Sequence, residues 1–327
     1  MRGGPWRILV TGVGGAPALD LARRLLDLGH ETIVTDSNPL APGLLLSGAT
    51  ARTMPPADDG CYRAALLELC QELRPDAIIS GVERELPHLI LMRAVLDELG
   101  VRTWLPSMPT VNACIDKAQF AAVLGEHHVP TPRTFLPHEI DEVPDHAALV
   151  VKPRSGQGSQ NVYFCATRAQ AKVLCELVPE PLIQERVEGR EFTADCLVDR
   201  SGRASVILRY RLLVKGGLSF VSSTFQDDEV EQQVKATLAA VGAVGACCAQ
   251  GFIRDDRTLR VVMTEMNARL AGGFLLSEAA GADLVEQSLN GLFELPVDHG
   301  RLGYKPGIAL TKYAATLAVG EGPTTVL

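Results

Sequence analysis

The sequence predicts an α/β domain with a parallel sheet, followed by a longer α+β part. In residues 7–106, strand-like and helix-like segments alternate, which is the pattern of a doubly wound sheet with helices on its faces. After residue 107 the alternation stops, and hairpin-like pairs of strands appear among the helices. A chain of 327 residues is long enough for two or three packed units.

The front part contains four strand-like and three helical segments. The first helical segment ends at Gly29 and the second ends before Pro75, two residue types that close helices. In chain order we predict a strand at 7–12, a helix at 17–29, a strand at 30–39, a helix at 61–75, a strand at 76–81, a helix at 86–100 and a strand at 101–106.

The rear part begins with one helical region at 107–132, which is closed by prolines. Residues 191–214 alternate in period two around SGR, and residues 245–269 turn at DDRT, so both segments are predicted hairpins. The remaining predicted segments are a strand, glycine loop and strand at 149–165, a helix at 167–179, a strand at 181–187, a helix at 228–242 and a helix at 275–292.

Composition excludes some classes of function. The net charge is −8, which argues against nucleic acid as a partner because phosphate backbones favour basic surfaces. No apolar run approaches the ~20 residues that span a bilayer, and the N-terminus lacks the apolar region of a signal peptide. The eight cysteines show no C-x-x-C spacing. We therefore expect a cytoplasmic protein with reduced thiols and no membrane partner.

A glycine cluster, ILVTGVGGAP, joins the first strand to the first helix. Gly12 and Gly14 match two positions of the G-x-G-x-x-G dinucleotide fingerprint, but Pro17 occupies the third. Asp36 ends the second strand, where an acid would bind a ribose. Two interpretations stay open: a nicotinamide site, or glycines that only permit a tight turn.

A second glycine loop lies in VVKPRSGQGSQN, residues 150–161. Lys152 ends a strand and can supply a point charge. Ser155, Gly156, Gly158 and Ser159 follow it, and glycines let successive backbone N–H groups surround phosphate oxygens. No G-K-[ST] closes the loop, so it is not a Walker A motif. The alternative is an ordinary hairpin turn beside a surface lysine.

The segment TEMNARLAGGF, residues 264–274, contains a possible cation site. Glu265 and Asn267 lie two apart in a strand-like run, so they share a face. A carboxylate and an amide oxygen suit Mg²⁺ that also binds nucleotide phosphates. Arg269 can reach a phosphoryl oxygen from the same face. The alternative is a polar strand face, although apolar residues flank the segment on both sides.

Substrate candidates come from two places. Arg209 and Arg211 share a strand face, and Arg211 can clamp a carboxylate. Glu83 and Glu85 follow the third strand at the carboxyl edge of the parallel sheet, where ligands bind, and either can hold an ammonium group. The alternative for the arginines is a basic strand face. No Ser/His/Asp or Cys/His arrangement stands out.

Together these segments resemble the ATP-grasp superfamily, and the carbamoyl-phosphate-synthetase-like branch of carboxylate–amine ligases most closely. The resemblance covers nearly the whole chain and implies a Rossmann-like pre-ATP-grasp domain at 1–106, a small or lid subdomain at 107–185 and a C-terminal subdomain at 186–327. It rests on Asp116-Lys117, the VKP strand with its glycine loop, QERVEGREFT, RYRLLVKGGLSF and AQGF with TEMNAR.

The resemblance also implies roles for single residues. Lys117 and Lys152 would bind ATP phosphates, and the segment from Ser155 to Ser159 would close over them. Arg269 would stabilise the transferring phosphoryl group. The QERVEGRE segment would bind the nucleoside, with Gln184, Glu185 and Val187 around adenine and Glu191 on the ribose. Glu265, Asn267 and Gln250 would bind Mg²⁺, and Gln250 departs from the acid that many relatives have.

The implied activity is an ATP- and Mg²⁺-dependent ligase. It would activate a small carboxylic acid, with an amino acid as the expected substrate, as an acyl phosphate and join it to an amine or ammonia. Such enzymes are often homodimers. Two alternatives remain: an NAD(P)-dependent oxidoreductase that uses the first glycine turn and Asp36, and a nucleotide-binding regulator without catalysis. The first leaves Glu265, Asn267 and the VKP loop unexplained.

Overall fold

The computed structural model describes residues 4–156, 158, 160–256 and 259–317. These residues form two compact units. The first unit contains residues 4–104 with residues 312–317, and the second contains residues 105–311. No helix in these described ranges is long and apolar enough to span a bilayer.

The first unit is the predicted α/β domain. Its parallel sheet has the order β3-β2-β1-β4. The elements are β1 (Arg7–Thr11), α1 (Ala16–Asp27), β2 (Glu31–Asp36), β3 (Ala49–Thr53), α2 (Tyr62–Leu73), β4 (Ala77–Ser80) and α3 (Leu86–Glu98). The central strand β1 is fully buried at Ile8, Leu9 and Val10, which explains its continuous apolar run.

Two details of this unit differ from the sequence prediction. β3, with the sequence ATART, pairs with β2 although its residues gave no strand signal. The predicted strand at 101–106 is wrong: among the described residues, this segment forms only one bridge, between Ala77 and Arg102. The Arg102 N–H donates to the Asp76 carbonyl and the Arg102 carbonyl accepts from the Ile78 N–H, so the pairing beside β4 is one residue long.

The second unit contains two antiparallel sheets. The small sheet has the order β5-β8-β6-β7, and the large sheet has the order β13-β12-β9-β10-β11-β14. The elements are α4 (Met108–Ile115), α5 (Lys117–Glu126), β5 (Thr134–Phe135), β6 (His146–Pro153), β7 (Tyr163–Thr167), α6 (Arg168–Leu177), β8 (Pro181–Glu185), β9 (Arg190–Val198), β10 (Ala204–Lys215), β11 (Leu218–Thr224), α7 (Asp228–Val241), β12 (Gly245–Ile253), β13 (Val261–Asn267), α8 (Leu275–Ala279), α9 (Leu284–Leu292) and β14 (Ala309–Thr311).

The hairpin predictions are confirmed. β9 pairs with β10, β12 with β13, and β6 with β7, all antiparallel. Two residues of the predicted DDRT turn, Arg257 and Thr258, lie outside the described residues. The sequence did not predict β11, which returns from β10 through Gly216 and Gly217. The fold class, an α/β part followed by an α+β part, is therefore as predicted.

The long helical region at 107–132 is two helices rather than one. Asp116 has an extended backbone, and its carboxylate accepts from the Ala118 and Gln119 N–H groups, which caps α5. Arg154 is paired with the same carboxylate. Apolar residues continue across this break, so periodicity alone does not reveal it. The predicted helix at 275–292 is likewise divided, into α8 and α9.

Candidate active site

The polar face of the large sheet carries six of the predicted site residues. The other face packs against α5 and α7 through apolar side chains of β9, β10, β12 and β13. Because strand side chains alternate between faces, the residues between those apolar ones point away from this core. The polar side chains on this second face are Glu191, Thr193, Asp195, Arg209, Arg211, Gln250, Glu265 and Asn267.

Arg211 connects three strands of this face. Its Nη1 donates to Glu191 Oε1 at 2.5 Å and to Gln250 Oε1 at 2.8 Å. Its Nη2 donates to the carbonyl oxygen of Gly217 at 2.7 Å. Burial raises the pKa of Glu191, Arg211 opposes that shift, and the charge of Glu265 adds to it. Arg211 therefore has protein partners already, where the sequence predicted a clamp for a substrate carboxylate.

Glu265, Asn267 and Arg269 form a short chain of hydrogen bonds. Asn267 Nδ2 donates to Glu265 Oε1 at 3.1 Å, and Arg269 Nη2 donates to Asn267 Oδ1 at 3.0 Å. The Nε–H of Arg269 is buried and finds no partner among the described residues. A β-bulge at Thr264 shifts the register, so that Glu265 lies directly opposite Gln250. The structure thus brings the three predicted cation ligands side by side.

Two lysines from other elements approach this face. Lys152 lies at the end of β6, and burial lowers its pKa to about 8. The charge of Glu265 opposes that shift, while the charge of Lys117 contributes to it. Both groups are therefore close to the Lys152 ammonium. Such a cluster holds two potential cations beside one carboxylate, an arrangement that favours a bound polyanion.

The glycine loop after β6 is held at two points. Lys117 Nζ donates to the carbonyl oxygen of Gly156 at 2.9 Å. Gly217 faces Gly158 so closely that a Cβ on Gly217 would lie 2.6 Å from the Gly158 Cα. Ser155 is half-buried, and Ser159 lies outside the described residues. Because Gly217 also accepts from Arg211, the β10–β11 turn links the loop to the polar face.

Arg209, the second predicted substrate arginine, is buried in an ion pair. Its Nε and Nη2 donate to the two carboxylate oxygens of Asp195, at 2.9 and 3.2 Å. Ser277 donates to the same carboxylate at 2.7 Å. Gly273 makes room for the guanidinium, because a Cβ there would lie 2.7 Å from Nη1. Only 3% of the Arg209 side chain is exposed, so its observed partner is Asp195.

The end of β8 carries the predicted nucleoside segment. Gln184 is buried and donates to Thr134 Oγ1 at 2.9 Å, so its side chain supports the small sheet. The Glu185 N–H donates to the Arg133 carbonyl at 2.9 Å, and the Glu185 side chain is exposed. Within the described part of the chain, no backbone carbonyl accepts from the Val187 N–H, so this donor has no backbone partner.

Two carboxylates of the first unit that the sequence predicted as ligand partners, Glu85 and Asp36, accept hydrogen bonds inside that unit. Glu85 is buried, and its carboxylate accepts from Ser80 at 2.6 Å and from Thr11. Burial raises the Glu85 pKa against these hydrogen bonds. Glu83 begins the short 3-10 helix that precedes α3. Asp36 accepts from the Gly14 N–H at 2.6 Å, so this carboxylate closes the first glycine turn itself.

The oxygen donors on the polar face suit Mg²⁺ only as part of a larger complex. Gln250, Glu265 and Asn267 offer one carboxylate and two amide oxygens. Across the described residues, no group of three or more His, Cys, Asp or Glu side chains can hold a metal by itself. Mg²⁺ readily keeps waters and takes phosphate oxygens in addition to one or two protein ligands. The donor set therefore fits a cation that arrives with a nucleotide.

Sequence reasoning missed two functional features of this face. Asp195 lies among apolar residues of β9, and no local pattern links it to Arg209, which is 14 residues away. Gly217 looks like an ordinary turn glycine until the glycine loop is placed against it. The Asp195–Arg209 pair could be predicted only from the pairing of β9 with β10. In that register the two residues are offset by two positions on the same face.

Comparison with known proteins agrees with this geometry. A family model described as the ATP-grasp domain matches residues 114–273, and one described as the PylC-like N-terminal domain matches residues 8–104. The carbamoyl phosphate synthase large chain of Clostridium acetobutylicum is 23% identical over an alignment of 285 positions that covers 77% of this chain. The chain spans only about a quarter of that relative's length, 26%.

Solved structures share the fold at low identity. An L-amino acid ligase from Bacillus licheniformis superposes with a TM-score of 0.70 and 17% identity, covering 92% of this chain and 77% of that one. N5-carboxyaminoimidazole synthetase from Staphylococcus aureus, in complex with ADP, gives 0.71 and 15%, covering 91% and 79%. With both domain models in their expected order, this chain belongs to the ATP-grasp superfamily.

Proposed function

We propose that the chain is an ATP- and Mg²⁺-dependent ligase that activates a small carboxylic acid, an amino acid in the simplest case, and joins it to an amine or to ammonia. The observation that carries this proposal is that Lys117 holds the glycine loop by a hydrogen bond to Gly156, while the charges of Lys117 and Glu265 both act on the pKa of Lys152. The names of the solved relatives, which include an L-amino acid ligase, support the same class of reaction.

The chemistry explains why such a site is needed. A carboxylate is a poor acyl donor because its leaving group would be oxide. In the proposed first step, a carboxylate oxygen attacks the γ-phosphorus of ATP, ADP leaves, and an acyl phosphate forms. In the second step, the amine attacks the acyl carbon, inorganic phosphate leaves, and the amine loses a proton. The balance is acid plus amine plus ATP giving amide, ADP and phosphate.

Lys117, Lys152 and Arg269 are the proposed electrostatic groups of the first step. Negative charge accumulates on the phosphoryl oxygens during transfer, and fixed cations lower that energy without reorganisation. The unpartnered Nε–H of Arg269 is available for such an oxygen. Mg²⁺ bound with ATP would neutralise phosphate charge, with Glu265, Asn267 and Gln250 as its protein ligands.

The proposed nucleoside site uses the end of β8 and the start of β9. The Val187 N–H would donate to the adenine edge, and Glu191 would accept from ribose hydroxyls. Arg211 holds Glu191 and Gln250 through the same Nη1, so we assign it the positioning of both side chains rather than direct contact with substrate. Glu83 and Glu85 remain proposed partners of a substrate ammonium group.

The oxidoreductase alternative lacks a supporting observation. A nicotinamide dinucleotide would need the N–H groups of the first glycine turn and a free ribose acid. Asp36 instead accepts from the Gly14 and Asn38 N–H groups at 2.6 and 2.9 Å. A ribose hydroxyl would therefore share the Asp36 carboxylate with two backbone donors, and the Gly14 N–H already has its acceptor.

The test is ADP release from MgATP across a panel of amino acids, tried singly and in pairs with each other and with ammonia. We expect one acid to stimulate ADP release and one nucleophile to be consumed in equal amount. Tight binding of NADH or NADPH together with no ADP release from any pair would contradict the proposal. ADP release without consumption of a nucleophile would point to an ATPase instead.

Lys152 makes nucleotide affinity dependent on pH. The protonated amine binds phosphate, and its pKa of about 8 means that it loses this proton as the pH rises above that value. ADP affinity should therefore fall above about pH 8, by up to about tenfold per pH unit. Calorimetric titration between pH 7 and 9.5 measures this. Lys172→Met, at an exposed position, should show the same dependence of ADP affinity on pH as the parent. Lys152→Met should bind ADP weakly, and its affinity should not change with pH over this range.

Gly217 should matter more than its neighbour for ATP use. Both Gly216 and Gly217 have positive φ, +54° and +74°, so alanine is strained at either position. Only at Gly217 does the new Cβ meet the glycine loop, since Gly216 faces open space. Gly217→Ala should raise the KM for ATP about tenfold, as expected for a displaced contact. Gly216→Ala is the matched control, and equal effects would contradict the contact.

A further inference from the structure

Contrary to the sequence expectation, the structure contains a Ser/His/Asp series, well away from the ligase residues. Ser205 Oγ lies 2.7 Å from His299 Nδ1, and His299 Nε2 lies 3.0 Å from Asp199 Oδ2. Ser205 is near the start of β10, Asp199 is in the β9–β10 turn, and His299 begins a short 3-10 helix. The three residues are up to 100 positions apart in the sequence, which hid the arrangement.

The hydrogen bonds select one tautomer of His299. Asp199 Oδ1 accepts from the Ser201 N–H, the Ser201 hydroxyl and the Arg203 N–H, at 2.8, 2.7 and 3.0 Å. Burial opposes ionisation, but these bonds and the one from His299 lower the Asp199 pKa to about 2. Asp199 is therefore an acceptor, and His299 Nε2 carries the proton. The lone pair of Nδ1 then faces the Ser205 hydroxyl, as in an activated serine.

The series opens onto a cavity of about 780 Å³. Ser205 and His299 line it together with Val206, Leu238, Arg203 and Tyr304. This volume falls in the range of small-molecule sites, which combine apolar walls with a few directed polar groups. The His299 side chain itself is only 4% exposed, so it is shielded from bulk water while it contacts a serine at the cavity wall.

A backbone donor lies next to the serine. The Leu208 N–H donates to Tyr304 Oη at 3.2 Å and its carbonyl accepts from Phe225, so the polar groups of Leu208 point away from β9. Because backbone groups alternate along a strand, the Val206 N–H also points away from β9. On that side β10 pairs with β11 only from Arg209 onward, so β11 does not cover Val206. Val206 also lines the cavity. Its N–H can serve an oxyanion that forms on a Ser205 adduct.

We propose that Ser205 is the nucleophile of a second site that takes small acyl esters. Ser205 Oγ attacks the ester carbonyl carbon while its proton passes to His299 Nδ1. The carbon–oxygen bond to the alcohol breaks, and the alcohol leaves with that proton. Water then hydrolyses the acyl-serine through the same base and restores the hydroxyl. The only co-reactant is water, and neither ATP nor Mg²⁺ takes part.

This site is separate from the ligase site although β10 contributes to both. Ser205 and Arg211 are six positions apart on one strand, which corresponds to roughly 20 Å at the rise of a β-strand. The reactivity of Ser205 can therefore be measured without nucleotide, and its success or failure says nothing about the proposed ligase activity.

The test is covalent labelling of the full chain by a fluorophosphonate, followed by intact mass and peptide mapping. We expect a single adduct on Ser205 in the folded protein and none after denaturation. Asp199→Asn and His299→Asn should slow the labelling by about a hundredfold or more, because each removes the correctly oriented base. Ser47→Ala, at an exposed serine of the first unit, should leave the labelling rate unchanged.

Two readouts separate reactivity from folding. The thermal midpoint and the far-ultraviolet circular dichroism spectrum are measured for every variant, and only variants that match the parent in both are compared. No adduct on Ser205 in the parent protein would overturn the proposal. An adduct that forms equally fast in His299→Asn would also overturn it, because the serine would then react without its base.

Discussion

Glu265→Gln is expected to reduce ATP turnover by about a thousandfold, which corresponds to about 4 kcal/mol of transition-state stabilisation. Glutamine keeps the size and the hydrogen bond to Asn267 but removes the one carboxylate of the proposed cation site. It also removes the negative charge that holds the Lys152 proton. Steady-state ADP release with the acid and nucleophile identified by the panel measures the loss.

A matched control separates this effect from general loss of acidic charge. Glu126→Gln changes an exposed residue at the end of α5 and should leave turnover within about twofold of the parent, as surface substitutions do. The thermal midpoint of Glu265→Gln should stay close to that of the parent. If Glu265→Gln retains more than a tenth of the parent turnover, the cation site is elsewhere.

Asp195→Ala should have the largest effect on stability. The substitution leaves the Arg209 guanidinium buried without its counter-charge and also removes the acceptor of Ser277. Breaking a buried ion pair in this way costs about 3–5 kcal/mol of unfolding free energy, because the remaining charge stays desolvated. Urea unfolding followed by circular dichroism measures the loss as a lower midpoint.

The double variant Asp195→Leu, Arg209→Met tests whether the charge causes this effect. Replacing both partners with apolar side chains leaves no buried charge, so most of the lost stability should return. If the double variant is as unstable as Asp195→Ala, the cost arises from packing around Gly273 and Ser277 instead. If Asp195→Ala lowers the unfolding free energy by less than about 1 kcal/mol, water or a structural shift must compensate the Arg209 charge, which would contradict this prediction.

Local patterns predicted a large part of this molecule. Alternation in period two placed Glu265 and Asn267 on one face, and the structure joins them by a hydrogen bond. The same pattern predicted the hairpins of β9–β10 and β12–β13, because one face of each strand packs on the core while the other is polar. The lysine before the glycine loop also followed from strand and turn signals.

Other features depend on which strands become neighbours, and local patterns carry no information about that. The Arg209–Asp195 ion pair requires β9 beside β10 in one register. The contact between the glycine loop and Gly217 requires the small and large sheets to approach each other within the second unit. The Ser205–His299 contact joins residues 94 positions apart. In each case a polar or small residue looked ordinary until its distant partner was known.

Breaks inside apolar segments were also beyond the sequence pattern. At Asp116 the helical periodicity continues while the backbone turns, because the aspartate side chain accepts from the next helix and leaves no gap in the apolar spacing. β3 shows the opposite difficulty. Its sequence, ATART, has no apolar alternation that would predict a strand, and it forms one because it pairs with β2.

Oxygen transfer tests the central claim, an acyl phosphate formed from ATP, most directly. The chain is incubated with MgATP, ammonia and a mixture of amino acids whose carboxylates carry ¹⁸O. We predict that the inorganic phosphate released contains one ¹⁸O atom per molecule, because the carboxylate oxygen that attacks phosphorus leaves with it. Phosphate that carries only oxygen from ATP and water would mean that no carboxylate was activated, and the ligase account would be contradicted.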